Sequence, residues 1–185
     1  MWESAIPNVL AGEARRHVCQ PMDSEQFAAF YERSARSLWT YLVRVSRDPA
    51  LADDLAQESY MRFLCAEQPD GEVAARRYLF RIATNLLRDH WRRPSTTSIQ
   101  ELPEESLAAR CGRAQAESQA TLDMAMAQLR PRDRQLLWLA YAEGYSHHEI
   151  AEVTGLASAS IRLLLFRARR KMARILREGR KGGLQ

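Results

Sequence analysis

The chain has 185 residues, enough for one or two small domains, and its formal net charge of +4 hides an uneven distribution. Residues 130–185 carry twelve Lys and Arg against five Asp and Glu, whereas residues 1–129 carry fifteen against eighteen. This asymmetry indicates one nucleic-acid contact and one protein contact. No apolar run approaches the roughly 20 residues that span a bilayer, so we expect no membrane insertion.

Residues 1–22 lack the apolar core of a signal peptide, and we expect a loose N-terminal extension of a cytoplasmic protein. Cys19, Cys65 and Cys111 are odd in number, far apart and without CxxC spacing. That pattern argues against a metal site or a disulfide framework. The sequence also has no nucleophile–base pair and no phosphate-binding loop. We therefore expect neither enzymatic activity nor a cofactor.

A first helical block is predicted over residues 23–93, with three helices. Its first helix has apolar residues at helical spacing. Asp48 and Pro49 begin the second helix as N-cap and first helical residue. The Pro-Asp-Gly run at 69–71 ends it. The third helix is predicted over about 73–93, where a following proline stops it.

The second helix of this block carries a polar face made of Asp53, Asp54, Gln57 and Glu58. No basic residue lies four positions after Asp54 or Gln57 to form a pair within the helix. The face is therefore a candidate contact for a basic partner. An ordinary solvated face is the alternative.

The third helix is basic, because residues 76–93 contain six arginines and one acid, Asp89. Asn85 can hydrogen-bond a base or the nucleic-acid backbone. His90 and Trp91 are placed to stack on unpaired bases, as aromatic rings do on single strands. Packing of Trp91 in the core is the alternative.

Residues 94–120 lose periodicity and include four glutamates and two prolines, which predicts a flexible linker. A second helical block is predicted over 121–178, with a helix restarting at Pro131, and a short tail over 179–185. No segment has the alternating apolar and polar residues that predict a β-strand. The sequence predicts an all-α fold of two small helical domains joined by a flexible linker.

The second block contains a helix-turn-helix pattern over residues 146–170. Ser146 and Glu149 have capping-box spacing, and Gly155 suits the left-handed residue after the first helix. The helix that follows is rich in arginine. An ordinary helical hairpin is the alternative. Four apolar residues are spaced to fill the wedge between the helices, Ile150, Leu156, Ile161 and Leu165.

Three segments together carry a family resemblance. Ala52–Tyr60 resembles the "AEDLVQETF" sequence of region 2 in extracytoplasmic-function (ECF) sigma factors of bacterial RNA polymerase. Tyr78–Arg93 is similar to "WLYRIARNLAIDHLRR" of the same region. Leu129–Arg134 with Gly144–Ala151 resembles the opening of region 4, "LPPRQR…GYSYEEIA". The three segments follow the family's order and spacing.

This resemblance implies a sigma factor that binds core polymerase and directs promoter-specific transcription initiation of a stress- or signal-responsive regulon. In the family, region 2 docks on the β′ coiled coil and opens the −10 element, with the loop at 68–75 holding a flipped base. Region 4 binds the −35 element and the β flap, and an anti-sigma factor is a further candidate partner. The residues implied for polymerase are Asp53, Asp54, Gln57 and Glu58. Those implied for the −10 element are Asp70, Gly71, Arg77, Arg81, Asn85, Arg88, Arg92 and Arg93. Those implied for the −35 element are Ser158, Ser160, Arg162, Leu163, Phe166, Arg167, Arg169 and Arg170.

The recognition helix departs from the family pattern "VKSRLxRAR", because Leu163 and Leu164 replace a serine and an arginine. Helical geometry places Leu163, Phe166 and Arg170 opposite the inward stripe. Three interpretations stand: contact with thymine methyl groups, a docking patch for an anti-sigma factor, or a rotated helix that buries these residues in the core. A rival function also stands, a helix-turn-helix regulator that works without polymerase and uses its first block for sensing or dimerisation.

Overall fold

In the computed structural model, residues 22–92 and 113–182 are described, and within these ranges every regular element is an α-helix. The all-α prediction is confirmed. The seven described helices are α1 (Ser24–Ser46), α2 (Pro49–Cys65), α3 (Glu72–Arg92), α4 (Arg113–Ala127), α5 (Pro131–Tyr141), α6 (His147–Thr154) and α7 (Ser158–Gly182).

The N-terminal half, α1–α3, begins its helices at strong caps. Asp23 and Gln26 form a capping box at the start of α1, with the Gln26 amide N 2.8 Å from Asp23 Oδ1. Asp48 caps α2, and Pro49 is its first residue, as the sequence predicts. The core between the three helices is aromatic at its centre, where the Phe30 and Phe63 rings stack with centroids 4.9 Å apart.

The C-terminal half, α4–α7, differs from the prediction at both ends. Helix α4 begins at Arg113, well before the predicted start near Thr121, so the end of the predicted 94–120 linker is helical. Helix α7 runs to Gly182, past the predicted boundary at residue 178. The residues at 93–112, most of the predicted linker, lie outside the described ranges, as do residues 1–21 and 183–185.

The two halves pack against each other, α5 on α1 and α6 on α3. Phe80 of α3 and Tyr145, just before α6, meet edge to face with centroids 6.0 Å apart. Arg44 of α1 forms an ion pair with Asp123 of α4. The sequence does not indicate that the two halves pack together. An amphipathic pattern shows that one face of a helix is buried, but it does not show which element covers that face.

Candidate partner and nucleic-acid surfaces

The polar face of α2 lies on the outside of the molecule. Asp53, Asp54, Gln57 and Glu58 are all exposed, while Leu55 and Ser59 between them face the core. Two of the four are engaged locally: Asp53 Oδ1 accepts a 2.7 Å hydrogen bond from Trp39 Nε1, and Glu58 pairs with Arg62 on the same helix. Asp54 and Gln57 have no ion pair or hydrogen bond through their side chains within the described residues. They are the two members most available to a partner.

The basic residues of α3 form a stripe along one side of the helix. At about 100° per residue, Arg77, Arg81, Asn85, Arg88 and Arg92 fall within about 80° of one another. We call these five residues the α3 stripe. Its opposite side is buried, so packing fixes the direction in which the stripe points; the buried residues include Leu79, Ala83, Leu86 and Leu87. Arg93, the remaining arginine proposed for the −10 element, lies outside the described residues.

Two neighbouring contacts order the C-terminal part of the stripe. Arg88 Nη2 donates to Asn85 Oδ1 at 2.8 Å, and Arg92 lies 3.8 Å from Asp89. Trp91 is 40% exposed, so it is not a core residue, and it stays available for stacking as the sequence suggests.

The connection between α2 and α3 is shorter than the predicted base-binding loop, because residues 72–75 already form the first turn of α3. Gln68 is buried and acts as an anchor: its Oε1 accepts from the Met22 amide, and its Nε2 donates to the Phe63 carbonyl, both at 3.2 Å. Asp70 and Gly71 remain exposed. Gly71 has a φ of +86°, a conformation that side-chain-bearing residues rarely adopt.

The N-terminal part of the α3 stripe contacts the C-terminal half. Arg77 Nη1 lies 3.0 Å from Glu149 Oε1 and 3.3 Å from Glu152 Oε2, both on α6. The neighbouring Arg76 pairs with the nearly buried carboxylate of Glu143 at 2.5 Å. These contacts between the halves were not predicted from the sequence. The spacing of Glu149 and Glu152, one helical turn apart, was the available indication of an acidic face on α6.

The helix-turn-helix has the geometry that its sequence predicts. Ser146 and Glu149 form a complete capping box, and these hydrogen bonds hold the pKa of the Glu149 carboxyl below its ordinary value. Gly155 ends α6 in the left-handed conformation at φ +68°. The wedge is filled as expected: Ile150, Ile161 and Leu165 are buried, and Leu156 packs against them.

The outer side of α7 carries the residues proposed for the −35 element. Leu163 and Phe166 are 50% and 48% exposed, so the interpretation that they extend the core is wrong. The inward stripe of Ile161, Leu165 and Ala168 fills the interface with the other helices instead. The Arg170 guanidinium lies 5.8 Å from the Phe166 ring centroid, which leaves a mixed apolar and cationic surface.

The other polar members of this set are also exposed, namely Ser158, Ser160, Arg162, Arg167 and Arg169. Arg169 lies at the margin of the set, where its Nη1 donates to the Tyr141 hydroxyl at 3.2 Å. The structure therefore gathers the proposed −35 residues on one helix. All eight of these residues are exposed.

Within the described ranges, no cluster of acidic, histidine or cysteine side chains could hold a metal ion. Among the helices of those ranges, none has the length and apolarity needed to cross a bilayer. Cys65 is exposed with a free thiol; Cys19 and Cys111 lie outside the described residues.

Family models match both halves of the chain. The Sigma-70 region 2 model matches residues 30–97, which include most of α1 and all of α2 and α3. The Sigma-70, region 4 model matches residues 119–172, which include the helix-turn-helix.

Curated relatives and solved structures give the same result. The ECF RNA polymerase sigma factor SigL of Mycobacterium tuberculosis is 30% identical over 163 residues, covering 81% of this chain and 88% of that protein. The ECF RNA polymerase sigma factor SigM of Bacillus subtilis is 25% identical over 153 residues, covering 80% and 94%. The sigma factor RpoE of Bartonella quintana, solved in complex with the anti-sigma factor NepR, has a TM-score of 0.61 at 19% identity, covering 83% and 98%. This last likeness shows a shared fold.

Proposed function

The chain belongs to the extracytoplasmic-function sigma factors, which direct bacterial RNA polymerase to promoters, and we propose that it divides this work among three surfaces. The polar face of α2 binds core polymerase at the β′ coiled coil. The α3 stripe holds the opened −10 element. The outer side of α7 binds the −35 element. The chain itself supplies no catalytic group, and it acts in the cytoplasm, where the chromosome and the polymerase are.

The observation that carries this proposal is the presence of two separate basic surfaces in one chain. A stand-alone regulator needs only the helix-turn-helix to bind an operator. The α3 stripe is a second cationic surface, on a different helix, with Trp91 beside it for base stacking. A promoter has two elements to contact, and two such surfaces match that requirement.

The polymerase contact is assigned to Asp54 and Gln57 because both are exposed and uncommitted among the described side chains. Charged groups at the rim of an interface act mainly by steering the encounter and by excluding wrong partners. An acidic and amide-bearing helix face suits a basic helical partner such as a coiled coil.

At the −10 element, arginines of the α3 stripe bind phosphates and Asn85 binds a base or the backbone. Exposed Asp70 and Gly71, at the start of α3, lie where a flipped base would enter. Unstacking a base costs a few kcal/mol. Stacking on aromatic rings returns about 1–3 kcal/mol per base, and phosphate contacts supply the rest.

At the −35 element, α7 lies in the major groove. Arg162, Arg167 and Arg170 bind phosphates or guanine edges, while Leu163 and Phe166 contact thymine methyl groups. Another face of the C-terminal half lies on the β flap. The relative solved with an anti-sigma factor supports an inhibitor of that class as a further partner of this chain.

Run-off transcription with purified core polymerase on a promoter library tests the proposal. We expect specific transcripts with the wild-type chain and weak duplex binding by the chain alone. The double variant Asp54→Lys/Gln57→Lys should lower affinity for core polymerase at least about tenfold. Glu32→Lys, an exposed acid on α1, is the charge-reversal control and should keep core binding.

The rival function makes the opposite prediction. A regulator that works without polymerase would bind one duplex sequence tightly on its own. Its activity would not change when lysines replace Asp54 and Gln57 on α2. Either result, or silence on every template with core polymerase present, contradicts the proposal.

A further inference from the structure

We infer that α7 selects its −35 element by the C5-methyl groups of pyrimidines, through three exposed apolar residues of its outer side, Ala159, Leu163 and Phe166. We call these three residues the apolar row. The inference rests on the −35 function proposed for α7, and it names the chemical group that is recognised. Thymine carries this methyl group, and 5-methylcytosine carries it at the same position. Ala159 is a member that the sequence analysis did not identify.

Helical geometry places the apolar row along the middle of the outer side of α7. At about 100° per residue, Ala159 lies about 40° and Phe166 about 60° from Leu163, both in the same direction. The opposite side of the helix is buried and packs against α5 and α6. This packing fixes the direction of the apolar row, which therefore faces away from the rest of the described molecule. The buried residues opposite the row are Ile161, Leu165 and Ala168.

The side chains that can form hydrogen bonds flank the apolar row on both sides. Ser160 and Arg167 lie about 60° and about 40° from Leu163 in one direction, and Arg162 lies about 100° away in the other. All three are exposed. A recognition helix presents its N-terminal residues to base edges in the major groove. The apolar row therefore meets the bases at the centre of the contact, and the flanking side chains extend toward the two strands.

The side chains of the apolar row have no group that can form a hydrogen bond, which limits what they can recognise. In the major groove every base presents donors or acceptors, and only thymine among the four adds a methyl group. Contact between this methyl group and an apolar side chain is favourable, because it removes apolar surface from water. Contact with guanine or with unmethylated cytosine would instead leave polar atoms without partners. The apolar row therefore favours pairs that carry the methyl group.

The spacing within the apolar row suits neighbouring base pairs. Leu163 and Phe166 are separated by about 4.5 Å along the helix axis, at about 1.5 Å per residue. Successive base pairs of a DNA duplex are about 3.4 Å apart. The Arg170 guanidinium lies 5.8 Å from the Phe166 ring centroid, and this cation–π contact favours one position of the ring at the end of the row. We therefore expect two neighbouring methyl-bearing positions in the −35 element.

The test measures binding of the full chain, assembled with core polymerase, to the promoter that gives the strongest run-off transcript. In one duplex, uracil replaces every thymine of the −35 element on both strands, which removes the methyl groups and keeps the base pairing. In two further duplexes, the thymines whose replacement by uracil weakens binding are changed one at a time to cytosine or to 5-methylcytosine, each paired with guanine. A duplex with uracil only in the spacer between the two elements is the DNA control.

We expect uracil to weaken binding by the wild-type chain about fourfold for each contacted methyl group, and 5-methylcytosine to bind about fourfold more tightly than cytosine. The double variant Leu163→Ala/Phe166→Ala should bind the thymine and uracil duplexes within about twofold of each other, because the side chains that cover the methyl groups are gone. The control variant Leu122→Ala removes an apolar side chain that is 42% exposed on α4, and it should keep the wild-type ratio.

Equal binding of the thymine and uracil duplexes by the wild-type chain overturns the inference, and so does 5-methylcytosine that binds no better than cytosine. A uracil effect that persists in the double variant comes from DNA shape and also overturns it. If the double variant keeps full affinity for the unmodified promoter, the apolar row serves a protein partner and the inference is wrong. Run-off transcription separates the two levels. A wild-type chain that is active but insensitive to the methyl groups refutes only their recognition, whereas silence on every template with core polymerase refutes the proposed function itself.

Discussion

The Tyr41 hydroxyl of α1 accepts a 2.7 Å hydrogen bond from Gln135 Nε2 of α5, so a buried polar contact joins the two halves of the chain. Thr84 of α3 completes the group, with its Oγ1 2.7 Å from the Tyr41 hydroxyl. All three side chains are buried. Because buried polar atoms need partners, this group is satisfied only when α1, α3 and α5 meet in one register.

Tyr41→Phe tests the contribution of this group to stability. The change keeps the ring and removes the hydroxyl, so Gln135 and Thr84 lose their shortest hydrogen bond. We expect the free energy of unfolding to fall by about 1–3 kcal/mol, measured by urea denaturation. Tyr31→Phe is the matched control, because that side chain is 48% exposed. Equal losses in the two variants would contradict a special role for the buried hydroxyl.

Alkaline pH should weaken the fold through the same residue. Burial raises the pKa of Tyr41 from its ordinary value of 10.0 to about 12. The folded chain therefore holds this proton more tightly than the unfolded chain does. The resulting stability is complete below pH 10 and is lost as the pH rises through about 12. Urea midpoints measured from about pH 9 to about pH 11 should fall less in Tyr41→Phe than in the wild type, beyond the decline that Tyr60 and Tyr145 also cause. Parallel declines would show that Tyr41 does not contribute.

Helix starts were predictable wherever one or two residues decide them. Asp48 with Pro49, and Ser146 with Glu149, act within a single turn, so their spacing in the sequence is enough. The start of α4 was missed for the converse reason. Residues 113–120 contain alanine, glutamine and glutamate, which favour a helix, but they have no apolar stripe for a periodicity test to find.

The contacts between the halves could not be read from the sequence. Arg77 belongs to a basic helix, and nothing local distinguishes an arginine that meets DNA from one that meets Glu149 and Glu152. These acids lie more than seventy positions away along the chain. Their pairing depends on how the two halves pack, with α5 on α1 and α6 on α3. The same applies to Leu163, because the sequence allowed a rotated helix, and the burial of Ile161 and Leu165 is what directs Leu163 outward.

Ser146→Ala should destabilise the helix-turn-helix without touching its DNA-facing residues. The Ser146 hydroxyl accepts from the Glu149 amide at 3.3 Å, and the alanine variant leaves that amide without its cap. We expect a loss of about 1 kcal/mol in the free energy of unfolding. Ser146→Asp keeps a capping oxygen and should lie within about 0.5 kcal/mol of the wild type. Equal stability of the alanine and wild-type chains would mean that α6 does not depend on this cap.

Leu163→Ala and Phe166→Ala test whether the apolar part of α7 meets DNA. Both side chains are about half exposed, so each change should lower the free energy of unfolding by no more than about 0.5 kcal/mol. Removing a thymine contact should cost about 1 kcal/mol of binding, roughly fivefold in affinity for a −35 duplex. Leu165→Ala is the contrasting variant: that side chain is 4% exposed, and its loss should cost about 2–5 kcal/mol of stability. Thermal melts and duplex titrations distinguish these effects. If the Leu163 and Phe166 variants bind duplex as the wild type does but lose affinity for an inhibitory protein, the patch serves that partner and the thymine assignment is wrong.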